Sequence, residues 1–393
     1  MELSTEQTDA VNGVLNALNG GKIVVALTGA AGTGKTTVLD ALAECLPDDT
    51  VLAAPTWRAA NIMADKTGLK TTSLHAAVMR PEFLEPLPAL MRYLDAGDYD
   101  EPPPHSVRIR WEGDWWQEVE NTSDALSVLG IRPMDWIKRW VAKDKQPGIL
   151  VVDEASMLGV ENIAMAQDVY AAIVLIGDPN QLPPVKDKAV LHLVPPEQTF
   201  RLTEIHRQAA DSPVLQIAYE AHKTGKITAP SERYTRDHAA SGVPIMCWRN
   251  AVRLKRTMEV RVMLNYPDNE VVTGEPLVCR AFGQKDRDRG LVNNTLWTVM
   301  ECRGDHHLII DDAGNELSVQ LAMEEFEETR GVPFRFGYAL TCHTAQGGEW
   351  PIVGIDGKDA NAIAYVLKEG AKSWAYTAAT RASEKVFLVG EVG

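Results

Sequence analysis

The octapeptide GAAGTGKT, Gly29 to Thr36, lies between an apolar run, KIVVALT, and the helix-like TTVLDALAECL. A glycine-rich loop that leaves a strand and opens a helix lets main-chain N–H groups close around phosphate at the positive end of the helix dipole. Lys35 can neutralise charge on the outer phosphates, and the Thr36 hydroxyl can ligand Mg²⁺. Gly29, Gly32, Thr33, Gly34, Lys35, Thr36 and Thr37 are therefore the expected nucleotide-binding residues. The same context restricts the fold. Three further apolar runs, TVLAAPT, GILVVDE and AAIVLIGD, each end in a polar loop, a rhythm that predicts α/β units around a parallel sheet.

The run GILVVDE delivers Asp153 and Glu154 at the carboxyl end of its strand, where ligands collect in open parallel sheets. One acid, Asp153, can hold Mg²⁺ while Glu154 polarises water, which points to hydrolysis and not to mere storage of a nucleotide. In the stretch LIGDPNQLPPV, Leu175 to Val185, the next strand ends in a loop expected beside the same phosphate. Gln181 there offers a neutral amide that can bond a phosphate oxygen or the attacking water and exchange that bond as the phosphate leaves. Pro183 and Pro184 stiffen the exit, so a shift at Gln181 can move a neighbouring surface. The plainer alternative is a rigid turn.

With 393 residues the chain can bury more than one core. A formal charge of -15 argues against binding nucleic acid through a generally basic surface and leaves room for a local basic groove. Five scattered cysteines show neither metal spacing nor a disulfide framework. The polar start MELSTEQTDAV and the lack of a long apolar run predict a soluble cytoplasmic protein with no membrane partner. Residues 80–147, with EPLPAL, DEPPPH and the tryptophan-rich VRIRWEGDWWQEV, interrupt the α/β rhythm as an insertion. Residues 268–330 switch to short β segments, and FRFGYALTCHTAQGGEW restores α/β from Phe334.

Taken in order, GAAGTGKTT, VVDEASM, GDPNQLPPV, LTEIHRQ, LTCHTAQGGEW and YTAATRA resemble the motifs of superfamily 1B DNA helicases of the RecD-like, Dda-like group. The resemblance implies two RecA-like P-loop NTPase domains with parallel sheets, 1–79 with 148–205 and 206–267 with 331–393. It also implies an insertion at 80–147 and a small SH3-like β-barrel insertion at 268–330, although VNNTLWTV lacks the Asn-Gly pair usual there. Gln7 looks like the glutamine that reads the adenine edge, Arg207 and Arg381 like the arginines that reach the γ-phosphate, and Gly347 and Glu349, beside Gln346, like the ribose-side loop. Pro55, Thr56, Thr72 and His75 on the first domain, and Arg249, Asn250, Thr341, His343 and Thr344 on the second, match positions that touch single-stranded DNA. Relatives often carry lysine where Thr344 stands.

Trp111, Trp115 and Trp116 fall where relatives carry a pin against the duplex, and a strand-separating role is weighed against simple packing. CWRNAVRLKRTMEVR gathers Arg249, Arg253, Lys255, Arg256 and Arg261 into the best local basic patch, whose alternative is a solvated helix face. Trp248, Trp297 and Trp374 read as packing residues, and the acidic run Glu324 to Glu328 as solvent-facing. The implied activity is ATP- and Mg²⁺-dependent travel 5′-to-3′ along single-stranded DNA by a monomer that unwinds forked or tailed duplex, with replication or recombination proteins as possible partners. The alternatives are a translocase that strips bound proteins and an ATP-switched binding module.

Overall fold

A computed structural model describes residues 3–83, 91, 137–184, 187–205, 211–280, 291, 293–311, 314–328, 330–366 and 369–392. Its first half contains β1 (Val24–Gly29), β2 (Val51–Ala54), β3 (Thr71–Ser73), β4 (Met79–Phe83), β5 (Ile137–Ala142), β6 (Gln146–Val152), β7 (Tyr170–Gly177) and β8 (Thr199–Leu202). Six of these form one sheet in the order β3-β2-β6-β7-β1-β8, and all its neighbours run parallel. The continuous apolar runs follow from burial on both faces. Leu150, Val152, Ile173 and Leu175 point into one core, shared with the helix Val160–Val169. Val25, Leu27, Val151, Val174 and Ile176 point into the other, covered by the helices Thr5–Asn19 and Lys35–Cys45. Each such aliphatic side chain contributes roughly 1.5–3 kcal/mol on burial.

The remaining strands are β9 (Ser231–Tyr234), β10 (Ile245–Cys247), β11 (Pro276–Cys279), β12 (Leu296–Arg303), β13 (His306–Asp311), β14 (Glu316–Val319), β15 (Leu321–Met323), β16 (Val332–Phe336), β17 (Ala339–Thr341), β18 (Trp350–Asp356) and β19 (Ala382–Val392). A second parallel sheet has the order β17-β10-β18-β19-β9. Its strands Met246, Leu340, Val353 and Ile355 pack on Val214 and Ala221 of the helix Pro213–Thr224 and on Ala371, Trp374 and Ala375 of the helix Glu369–Ala379. The two α/β units with parallel sheets expected from the strand rhythm are present.

A third sheet, β14-β13-β12-β11-β16-β15, is antiparallel except for β15 beside β16. It draws in Val332–Phe336, which the sequence rhythm leaves outside the 268–330 segment. β4 and β5 form a separate antiparallel ladder, with Met79 opposite Ala142. They bring together the two ends of the segment between 83 and 137. Among the described residues no helix is long and apolar enough to cross a membrane.

The expected basic patch on CWRNAVRLKRTMEVR is overturned. In the helix Asn250–Leu264, Arg253, Arg256 and Arg261 are buried. Arg253 pairs with Glu325 at 2.8 Å, Arg256 with Asp356 at 2.5 Å and Glu259 at 2.9 Å, and Arg261 with Glu275. Apart from Glu259, three residues along the same helix, the carboxylates lie outside the helix, so helical spacing alone could not reveal them. Arg261 also donates to the carbonyls of Pro267 and Glu270 and lies 4.0 Å from the Phe336 ring centre. Glu325 is correspondingly turned inward, with a fully buried side chain, and departs from the solvent-facing run expected at Glu324 to Glu328. Trp297 and Trp374 are core residues, and Trp248 packs at the edge of the second core.

Candidate nucleotide and strand site

The phosphate loop connects β1 to the helix Lys35–Cys45. Gly34 caps that helix with φ 77 and ψ 31, and Gly32 has φ 83, left-handed conformations that glycine adopts without a steric penalty. A Cβ on Gly29 would sit 2.4 Å from Thr33 Oγ1, so the first glycine permits the tight return. Lys35 Nζ donates to the carbonyls of Gly29 at 2.8 Å and Ala30 at 3.0 Å, which folds the ammonium back over the loop. Thr33 donates its hydroxyl to Ala30 O at 2.9 Å.

At the end of β6, the Glu154 N–H donates to Asp153 Oδ1 at 2.8 Å, and Glu154 itself has φ 52 and ψ 34. A non-glycine residue in that region is uncommon. A cavity of about 170 Å³ is lined by Thr36, Asp153 and Glu154 from the first unit and by Gly347, Gly348, Glu349, Thr380 and Arg381 from the second. Arg381 is buried and donates to Gly348 O at 3.1 Å and Thr377 O at 3.2 Å. These bonds fix the guanidinium beside the cavity that Arg381 lines with Thr36.

The donor set of this cavity suits Mg²⁺ that arrives with a triphosphate. Thr36 and Asp153 supply hard oxygen ligands, and this ion uses one or two protein oxygens and takes the rest from phosphate and water. Among the described residues no group of three His, Cys, Asp or Glu side chains could hold a metal alone. A second cavity, about 510 Å³, adjoins the loop and is lined by Gly29, Ala30, Thr33, Asn180, Arg201 and Tyr219, among others. Gln7 lines neither cavity. It is buried in a capping box, where its Oε1 accepts from Ser4 N at 3.0 Å, while the neighbouring Glu6 carboxylate accepts from the amides of Thr203 and Glu204 at 2.8 and 2.9 Å.

The loop after β7 is held by both units. Gln181 is buried, and its Oε1 has no partner among the described residues. On its far side, Leu182 N donates to Thr377 Oγ1 at 2.9 Å and Leu182 O accepts from Gln346 Nε2 at 3.2 Å. Asp178 accepts from the Tyr376 hydroxyl at 2.6 Å and from Asn180 N at 2.9 Å. Burial pushes the Asp178 carboxyl above the ordinary carboxylate range, against the opposing pull of nearby Lys35. Tyr376 Oη also accepts from Ala31 N at 2.8 Å, and the Tyr219 hydroxyl donates to Ala31 O at 2.7 Å.

Sequence reasoning missed Asp178, Tyr219, Tyr376 and Thr377. Three of them stand inside motifs it quoted, GDPNQLPPV and YTAATRA. Tyr219 sits in an ordinary amphipathic helix and carries no sequence signal.

The expected strand contacts are scattered in role. Thr56 caps the helix Trp57–Thr67 through Ala59 N at 3.2 Å, and Pro55 and Thr72 are half-buried beside it. His75 is exposed and meets Trp140 edge-on at 4.7 Å. Arg249 is tied to the buried Asp359 at 2.6 Å, and Asn250 follows it, exposed, at the helix start. His343 is exposed, and the Thr341 hydroxyl lies 2.9 Å from that of Thr344. Thr344 corrects the expectation of a strand contact. It is buried, and its hydroxyl accepts from Arg335 at 2.7 Å, so it braces the loop from inside. Thr37 lies in the helix behind the loop. Arg207 and the tryptophans Trp111, Trp115 and Trp116 lie outside the described residues.

A family model for the AAA domain matches residues 2–242, and a model for the UvrD-like helicase C-terminal domain matches residues 336–389. The chain belongs to the AAA-domain family. The ATP-dependent RecD2 DNA helicase of Deinococcus radiodurans is 28% identical over 431 residues, covering 99% of this chain and 49% of that protein. The chain thus spans about half the length of the curated relative it matches. Bacteroides Pif1 bound to single-stranded DNA has the same fold, with a TM-score of 0.54 at 17% identity, over 99% of this chain and 92% of that one. A Pif1 structure concerned with unwinding at forked duplex DNA aligns with a TM-score of 0.53 at 16% identity, with the same coverage of both chains.

Proposed function

We propose that this chain is an ATP-dependent DNA helicase that travels 5′-to-3′ on single-stranded DNA and opens tailed or forked duplex. The observation that carries the reading is the shared cavity, where Thr36, Asp153 and Glu154 of one unit face Arg381 of the other. A hydrolytic site divided between two units makes their approach part of the reaction. Glu154 orients and deprotonates water, Lys35 and Arg381 balance charge on the phosphoryl group, and Gln181 senses whether that group is present. Mg²⁺, held by Thr36 and Asp153, supplies further neutralisation of the phosphates when bound.

The units correspond to domains at 1–79 with 148–205 and at 206–267 with 331–393. The third sheet, in which Val332–Phe336 joins the strands of the segment 268–330, provides the SH3-like insertion, and the residues at 80–147 provide the pin with Trp111, Trp115 and Trp116. Arg207 joins Arg381 at the γ-phosphate, and Gln7 and Glu349 serve the base and ribose. Pro55, Thr56, Thr72, His75, Arg249, Asn250, Thr341 and His343 track the strand, with Thr344 as their internal brace. The protein works as a monomer in the cytoplasm, on replication or recombination intermediates.

The test is ATP-dependent strand separation on 5′-tailed, 3′-tailed and blunt duplexes under single-turnover trapping. Opening of the 5′-tailed duplex alone supports the reading. Robust ATP turnover with no opening of any duplex would replace it with a translocase that strips bound proteins.

A further inference from the structure

The tip of the phosphate loop is gripped from the other unit. Ala31 presents one peptide N–H and one carbonyl. The first goes to Tyr376 Oη at 2.8 Å and the second accepts from the Tyr219 hydroxyl at 2.7 Å. Both tyrosines stand on helices packed against the second sheet, Pro213–Thr224 and Glu369–Ala379. Their rings lie 6.1 Å apart, and Ala31 itself packs on the small buried cluster of Ala218, Tyr376 and Ala379.

Tyr376 does more than hold one side of Ala31. While accepting from Ala31, it donates its own proton to Asp178 Oδ2 at 2.6 Å. A single hydroxyl thus joins the phosphate loop to the loop that carries Gln181. A phenol that must donate and accept at once has a fixed orientation, and removing its oxygen leaves two buried groups without that bond. An orphaned buried donor or acceptor costs more than the bond itself contributes.

We infer that Tyr376 and Tyr219 are positioning residues that link the shape of the phosphate loop to the placement of the second unit, Tyr376 acting as the node and Tyr219 as the second arm. The link rests on the motor reading, since it sets how strand binding at the second unit reaches the nucleotide loop. A rotation of the second unit moves the Ala31 peptide and Asp178 together. Phosphate-loop geometry and the sensor loop then change in one step.

The experiment compares wild type with Tyr376→Phe, Tyr219→Phe and the double variant. Steady-state ATP turnover is measured with and without an oligo-dT strand, and equilibrium binding of a fluorescent ATP analogue is measured without DNA. Thermal melting establishes that each variant is folded. The expected result is a fall of about tenfold in the DNA-stimulated kcat for Tyr376→Phe, a barrier change of about 1.4 kcal/mol, with KM for ATP moving less than about threefold. Because both side chains grip the same residue, through the two peptide groups that flank it, their effects on analogue binding are expected to be non-additive. A stimulated kcat within twofold of wild type in the double variant overturns the inference, as does a parallel change in KM and kcat. A wild-type rate that ignores oligo-dT counts against the motor reading instead. The tyrosine link is then decided by the analogue cycle, where non-additivity supports it and strict additivity overturns it. Should Tyr376→Phe fail to fold, the half-buried Tyr219→Phe carries the same comparison of kcat with KM.

Discussion

Thr377 Oγ1 accepts the main-chain N–H of Leu182 at 2.9 Å, so the residue following Gln181 hangs from the helix that leads into Arg381. Thr377 is fully buried, and its neighbours on either side are the node Tyr376 and the helix end that positions the arginine. Replacement by valine preserves shape and leaves the Leu182 N–H without its acceptor. Thr377→Val is expected to lower DNA-stimulated ATP turnover about five- to tenfold while shifting KM little. Turnover kinetics across an oligo-dT titration check this, and an undiminished maximal rate would mean that the contact is only packing.

Lys35 and Glu154 separate binding from chemistry. Lys35→Ala removes the ammonium that folds over the loop and is expected to abolish ATP turnover, leaving single-stranded DNA binding within about twofold by fluorescence anisotropy. Glu154→Gln retains shape and removes the base, so a loss of about 10²–10⁴ in kcat is expected. Nucleotide binding by the Gln variant should persist. Comparable activity of either variant with wild type would dismantle the hydrolytic assignment.

The buried arginines lead to a stability prediction. Arg261→Leu removes one partner of a fully buried pair and strands Glu275, which burial already pushes towards its protonated form. A loss of about 3–5 kcal/mol is expected in urea unfolding of the small-sheet unit. Lys255→Ala, at an exposed pair with Glu259, should change stability by less than about 0.5 kcal/mol. Equal effects of the two would contradict the burial pattern.

Asp178 gives a pH signature with a defined sign. Its folded-state pKa is raised, chiefly by burial, so the folded protein holds this proton more tightly than the unfolded chain does. That contribution is complete below the unfolded carboxyl range, around pH 3.9, and is lost as pH rises through the raised value. Asp178→Asn imitates the neutral form and can still accept from Tyr376. Its melting temperature relative to wild type should therefore improve from about pH 4 to pH 8. A difference independent of pH would show that Asp178 does not titrate in this range.

The strand rhythm and the motifs made the two parallel sheets legible, because doubly buried strands must be continuously apolar and a phosphate loop must follow one of them. Thr36, Asp153 and Glu154, which line the cleft from the first unit, stand in those motifs, whereas Ala59, Ile62 and Met63 beside them carry no such signal. What stayed hidden depends on partners remote in sequence. Arg253, Arg256 and Arg261 read as a basic face until Glu325, Asp356 and Glu275 are placed beside them. Thr344 reads as a surface hydroxyl until Arg335 reaches it. Tyr219 and Tyr376 bond main-chain groups of Ala31, which no side-chain motif announces.

Drawing those arginines inside has a thermodynamic echo outside. Strong ionic-strength dependence of strand affinity comes from counterions displaced when lysine or arginine meets phosphate. Three cations of the helix Asn250–Leu264 are neutralised internally, and Arg249 already answers to Asp359. The remaining strand contacts proposed here are hydroxyls, imidazoles, an amide and main chain. A plot of log affinity against log salt concentration should accordingly be shallow, and grip on the strand should persist at ionic strengths that dissociate proteins clad in basic surface.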